Sequence, residues 1–251
     1  MTQESNTPFT ARSVLASALL GMDPPELPVA QLVRLTGLFG ISANRARVAL
    51  SRMVAAGEAT TDGSGHYRLS GHLQARQARQ SASRSGRTNP FDGQWWVAVV
   101  TTTGSAADVR TARRGALAYA RLAELREGVW MRPDNVTVEL ADGLAADVEL
   151  MTARPGEPGR LAGALWDLEA WADRAHDLRR RMAALAPDSA AALAPGFELS
   201  AAVLRHLQAD PLLPEELLPD AWPGTHLRHE YDRWDTRYRA TLREWSRPGS
   251  G

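Results

Sequence analysis

The sequence predicts an α+β chain in three parts: an N-terminal winged helix-turn-helix, a central ferredoxin-like domain and a C-terminal helical domain. Three observations predict it. The first seventy residues hold three helical patterns and then a glycine-rich turn between two short strand-like runs. Residues 91–165 alternate strand-like and helix-like segments. From Asp167 onward, apolar residues recur at helical spacing almost to the end.

With 251 residues, 44% of them hydrophobic, the chain can bury a core. It has no cysteine, which excludes disulfides, thiolate nucleophiles and Cys-ligated metals. No run of about 18 apolar residues is present. The first residues lack the basic-then-apolar pattern of a signal peptide, so a cytoplasmic protein without membrane contact is expected. The formal charge is zero, and all 29 basic residues are Arg. Residues 1–90 carry ten Arg against five acids, residues 91–160 eight against ten, and residues 161–251 eleven against fourteen. A basic first third on an acidic remainder fits one module that touches a polyanion.

The first helix is expected over residues 8–20, capped by Thr10, with Val14, Leu15, Ala18 and Leu19 inward. Three prolines between Gly21 and Pro28 break the pattern. A second helix covers 29–38, and Gly37 and Gly40 bracket a turn around Phe39. A third helix follows, capped by Ser42 and ended by Gly57, with Ala46, Val48, Ala49, Leu50 and Met53 as its apolar stripe. Residues 58–61 and 66–69 form a hairpin around Asp62-Gly63-Ser64-Gly65. The third helix would enter a major groove and the hairpin would lie along the backbone. That helix carries Asn44, Arg45, Arg47 and Arg52 and no acid between Ile41 and Gly57. Arg matches a guanine edge and Asn an adenine edge, while Ser42 and the first amides suit a phosphate. His66 and Arg68 on the hairpin, and Arg76 beyond it, complete the expected DNA contacts. Residues 71–90 read as a linker or linking helix, with Ser81–Pro90 as the boundary.

In the central domain, residues 91–165, strands are expected over 95–102, 127–132, 136–140 and 146–152. A helix capped by Ser105 runs to Glu124, with Val109, Ala112, Leu117, Ala120 and Ala123 inward. This order fits a ferredoxin-like sandwich if a helix around 169–185 closes it. In the C-terminal domain, residues 166–251, helices are expected over 168–185, 197–208 and 227–245, with a proline-rich structured loop at 210–224. The Arg179-Arg180-Arg181 run reads as a solvated face or as a partner for acids. No phosphate loop, dinucleotide fingerprint, zinc-protease or nucleophile-elbow motif occurs, so neither an enzyme nor a cofactor is expected. His226 and His229 lack a defined third ligand, so no metal is expected either.

These residues together resemble the PaaX family of bacterial transcriptional regulators. The resemblance rests on Gly40-Ile41-Ser42, Arg47 to Met53, Ala56-Gly57, Trp95, Glu127 to Pro133 and Trp166-Asp167-Leu168. It is closest over Asp210-Pro211-Leu212-Leu213-Pro214-Glu215-Glu216-Leu217-Leu218-Pro219, with Trp222 and Gly224 after it. It implies a winged helix, a central domain like the CRISPR-associated Cas2 fold and a helical C-terminal domain. It also implies a homodimeric repressor of an aromatic catabolism operon, with a pseudo-palindromic operator and phenylacetyl-coenzyme A as the best-known effector. An aryl or acyl thioester is therefore expected between Trp130 and Trp222, with Arg132 or Arg228 meeting its phosphate or carboxylate. Alternatively, both Trp are core residues. An activator, an effector-independent regulator, a protein-binding adaptor and a metal-dependent nuclease are the competing functions. The nuclease would need an acid at the end of the first central strand, where Thr101-Thr102-Thr103 stands.

Overall fold

The computed structural model describes residues 10–22, 24, 26–104, 106–140 and 142–246. Its elements in order are α1 (Ala11–Leu20), β1 (Glu26–Pro28), α2 (Val29–Gly37), α3 (Ala43–Ala55), β2 (Ala59–Thr61), β3 (His66–Leu69) and α4 (His72–Ser85). There follow β4 (Trp95–Val100), α5 (Ala107–Tyr119), β5 (Ala123–Arg126), β6 (Val129–Pro133), α6 (Asp142–Ala145), β7 (Val148–Ala153) and α7 (Pro158–Leu165). The chain ends with α8 (Leu168–Ala184), α9 (Leu193–Gln208) and α10 (Gly224–Ser246). It folds as two compact units. One gathers the chain up to Ser85 with Asp177–Gln208 and His226 onward, and the other gathers Gly86–His176 with Ala209–Thr225. The first unit thus joins the N-terminal segment to helices from the C-terminal third.

In the first unit, Thr10 caps α1 by accepting from the Ser13 amide at 3.1 Å. Arg12 and Glu58 form a two-point ion pair that ties α1 to the end of α3, with Arg12 Nε 2.8 Å from Glu58 Oε2. The hairpin forms as expected, but a third strand joins it: the antiparallel order is β1-β3-β2, with Leu27 opposite Tyr67. The prolines hide β1 in the sequence. Pro28 is tolerated there because β1 is an edge strand. At Gly71, φ is +57° and a Cβ would lie 2.7 Å from the Gly57 carbonyl oxygen, so only glycine can pass the chain from β3 into α4.

α4 is no loose tether. Its Ser83 is buried and its carbonyl accepts from Arg228 Nε of α10 at 3.2 Å. Arg84 donates to Asp232 at 2.6 Å and to Asp235 at 2.7 Å, and Arg239 meets Asp235 at 2.7 Å. Asp235 is only 2% exposed. α9 and α10 pack at a glycine: a Cβ on Gly196 would stand 2.6 Å from the Tyr238 ring, whose hydroxyl donates to the Leu193 carbonyl at 2.8 Å. α9 starts four residues before its expected position because Pro195 sits in the first turn, where no intrahelical donor is needed. Arg179 grips Glu230 through two bonds of 2.9 and 2.6 Å, and Arg180 and Arg181 reach Asp177, as the acid-partner reading of that run requires.

The second unit holds an antiparallel sheet of order β5-β6-β4-β7. Alternation along β4 divides its core. Trp95 packs with Met131, Ala162, Leu168, Leu213 and Leu217 on one face. Ala98 packs with Leu117, Leu122, Trp130, Leu144 and Val148 on the other. Several expectations need correction here. α5 ends at Tyr119; Arg121 takes φ +63° and turns the chain, so Ala123 and Glu124 enter a strand instead. Of the expected inward stripe, Leu117 is buried but Val109 is 44% exposed and Ala112 is also exposed. The expected cap Ser105 lies outside the described residues. Residues 136–140 form no strand: Val138 and Leu140 cover the Trp130 face as irregular chain. Among the described residues, only the single turn α6 stands between β6 and β7, and α8 follows the last strand at the place expected for the closing helix.

Removing one member of a buried, hydrogen-bonded charge cluster leaves the others uncompensated. Asp235→Ala is therefore expected to lower stability by about 3 kcal/mol, read as a shift in the denaturant midpoint of the helical transition. An unchanged midpoint would show that the cluster does not hold α4 to α10.

Candidate nucleic-acid interface

α3 is built from two opposed faces. Ser42 caps it by accepting from the Arg45 amide at 3.4 Å. Ala46, Leu50 and Met53 are buried at spacings of four and three. Val48, expected in that stripe, is 43% exposed and Ala49 is half-buried, because at about 100° per residue both fall away from the Ala46–Leu50–Met53 line. Val48 instead sits between Asn44 and Ser51 on the outward face, where an apolar group suits a thymine methyl. Ser42, Asn44, Arg45, Arg47 and Arg52 are all exposed. Arg45 and Arg52 share one flank at a spacing of seven, and Arg47 takes the opposite flank about 140° from Arg52. Among the described residues, no hydrogen bond or ion pair engages the side chains of Arg45, Arg47 or Arg52. The helix therefore presents three cations with no acid beside them.

The hairpin differs. The Asp62 carboxylate accepts from the Ser64 hydroxyl at 2.6 Å, the Ser64 amide at 2.8 Å and the His66 amide at 3.1 Å. The Ser64 hydroxyl and the His66 amide hold the Asp62 pKa down at about 2. His66 Nδ1 lies 3.3 Å from the same carboxylate. Arg68 is exposed but paired with Glu26 across β1 and β3, with Nε 3.1 Å from Oε2. Both expected hairpin contacts thus already have acid partners. Glu26, Asp62 and His66 are also the one three-residue group of metal-ligand type among the described residues, and internal bonds occupy each of them. Arg76 lies on α4; its side chain is outside the described residues.

The expected effector residues are not brought together. Trp130 is buried in the sheet face that contains Leu117, and Trp222 packs on the opposite face, stacked on Trp171 at 4.5 Å. They cannot wall one pocket. Arg132 has no exposure; it donates to the Pro133 and Arg121 carbonyls and to Asn135 Oδ1 at 3.0, 3.4 and 3.0 Å. Burial, reinforced by the nearby Arg121 charge, pulls its pKa down to about 10, so at neutral pH it remains a charged structural strut. Asn135 extends the strut to the Leu212 carbonyl at 2.8 Å. Arg228 belongs to the other unit, where it is buried and bonded to Ser83.

Two further features that sequence patterning missed lie in the first unit. A cavity of about 310 Å³ opens among α1, β1, α2, α4, α9 and α10. Phe39, in the turn before α3, meets Phe197 of α9 edge-on at 5.2 Å. Phe39 was visible as a turn aromatic, but its partner stands far along the chain.

A family model described as PaaX-like protein matches residues 10–73, and one described as PaaX-like protein C-terminal domain matches residues 166–247. The chain belongs to the PaaX-like family. Members of this family are generally transcriptional regulators. No curated protein matches the chain. Among solved structures, the uncharacterized protein Rv0674 from Mycobacterium tuberculosis is similar, with 43% identity and a TM-score of 0.75 over 94% of this chain and 98% of that one. Among the described residues of this PaaX-like protein, no helix is long and apolar enough to cross a membrane.

The lowered Asp62 pKa fixes the sign of a pH effect. Its contribution to the hairpin turn is fully present above the ordinary value of 3.8 and is lost as pH falls to about 2. Carboxyl NMR titration should place the Asp62 midpoint near 2; a midpoint near 4 would contradict the three-bond turn.

Proposed function

We propose that this PaaX-like protein is a sequence-specific DNA-binding repressor of a catabolic operon, released by a small effector. The observation that carries the reading is the outward face of α3, with Arg45, Arg47 and Arg52 unpaired among the described residues around Asn44, Val48 and Ser51. Surface helices in folded proteins usually mix charge signs. A one-signed face on the third helix of a helix–helix–helix–hairpin unit suits the major groove. Asn44 and Arg45 read base edges, Ser42 and the first amides of α3 hold a phosphate, and Arg47 and Arg52 reach the backbone on either flank. His66, Arg68 and Arg76 add weaker, sequence-independent contacts.

The remaining parts follow from this reading. Residues 1–70 act as the DNA-binding domain, 71–90 as a linking helix, 91–165 as a ferredoxin-like domain and 166–251 as a helical domain. Supporting the ferredoxin-like assignment, the four strands lie in the order second, third, first, fourth, with the second helix reduced to α6. The protein works in the cytoplasm as a homodimer on a pseudo-palindromic operator. Val109, Tyr119, Leu125 and Met151, exposed apolar residues of the second unit, support an interface there.

Selection from a random duplex library supplies the operator. Arg45→Ala and Asn44→Ala are each expected to cost about 1–3 kcal/mol of specific affinity at fixed salt. Arg47→Ala should weaken all duplexes alike and reduce the salt slope by about one. Unchanged specificity in Arg45→Ala and Asn44→Ala would contradict the reading. Sedimentation should give twice the 27.3 kDa chain mass; a monomer with and without DNA would refute the dimer.

A further inference from the structure

We infer that the cavity of the first unit is the effector site, and that it takes a small amphiphile with an aryl or short alkyl body and one anionic end. This rests on the regulator reading and relocates its ligand. The cavity, about 310 Å³, stands at the small end of the range that ligand pockets occupy. Its walls include Leu27, Leu35, Leu204 and Leu242, with the aromatic rings of Phe197 and Trp245, so it receives an apolar body of about one ring. Its charged lining is Arg205, Arg239, Arg243 and Asp235. Asp235 already receives Arg84 and Arg239, so the acid is spent. Arg205 is exposed and has no hydrogen-bond or ion-pair partner among the described residues. A carboxylate or other acid group on the ligand completes it.

The location gives the ligand a lever on DNA. Leu35 lies on α2, which leads directly through the Phe39 turn into α3. Phe197 lines the cavity and also meets Phe39 at 5.2 Å. Trp245 lines it too, and the Arg34 guanidinium of α2 sits 4.4 Å over its ring. A ligand wedged between α2 and α9 acts on both supports of the recognition helix. It releases DNA by binding the DNA-incompatible arrangement more tightly. The anionic end comes from a free acid or from the phosphates of a coenzyme A thioester whose acyl group enters the cavity.

The test is calorimetry on the full chain with hexanoate, phenylpropanoate, the matching alcohols, and hexanoyl- and phenylpropanoyl-coenzyme A. The same ligands are then added to a mobility shift with the selected duplex. The acids or their thioesters should bind saturably, the alcohols more weakly, and binding should lower DNA affinity. Whichever anionic set binds identifies the source of the charge. Arg205→Gln should weaken binding by about tenfold or more. Ala201→Trp, which fills the cavity, should abolish binding. Arg205→Gln changes an exposed rim residue, so it stays informative if Ala201→Trp folds poorly. No heat from either set, binding indifferent to both variants, or binding that leaves DNA affinity unchanged would overturn the inference. DNA binding without ligand is measured separately: its absence sinks the regulator reading, whereas its presence without ligand binding sinks only the effector site.

Discussion

Asp235 is a carboxylate taken out of water and held by two guanidiniums, Arg84 from α4 and Arg239 one turn along α10. A buried charge of this kind is tolerable only with its partners in place. The helix that leaves the hairpin is therefore obliged to dock on the last helix of the chain. Gly71 sets the direction of that helix, and Ser83 and Arg228 add a second tie beside the charge cluster. Because α4 cannot swing away, the three N-terminal helices, α9 and α10 share one unit. The cavity among them is a consequence of the same docking.

Within this unit, charge is distributed unevenly. Arg12, Arg68, Arg84 and Arg179 each face an acid inside the protein. On α3 the opposite holds, since Ala46, Leu50 and Met53 use the inner face and no acid stands on the outer one. The pairing of these four cations contrasts with the set on α3, which no acid of the described residues engages and which stays open to a partner. The PaaX-like family to which the chain belongs, a family of regulators, fits a polyanionic partner for that face.

Much of this was legible in the sequence, and the rest was not for identifiable reasons. Caps and helical periodicity mark α1, α3, α8 and α10, and glycines mark the hairpin, because these signals act over a few residues. β1 was hidden because prolines usually exclude strands, yet an edge strand needs fewer donors. Val48 is apolar yet faces outward, because its angle on the helix and not its character sets its direction. Val138 and Leu140 were apolar because they cover a sheet, not because they pair within it. Trp130 and Trp222 were separated by the alternation of β4 and β6, which only the strand register settles. Arg132 looked like a ligand-binding cation and is a buried strut, since its acceptors are backbone carbonyls that sequence does not advertise. The Arg84–Asp235 pair spans 151 positions, and no local pattern announces it.

In the proposed function, α3 meets DNA from a unit that also encloses the cavity. Hydrogen–deuterium exchange of the full chain, with and without the selected duplex, tests it most directly. Strong protection over residues 42–55 is expected on DNA binding, with a smaller change in the cavity-lining parts of α2, α9 and α10. Protection confined to residues 86–176, with α3 exchanging as in the free protein, would contradict it.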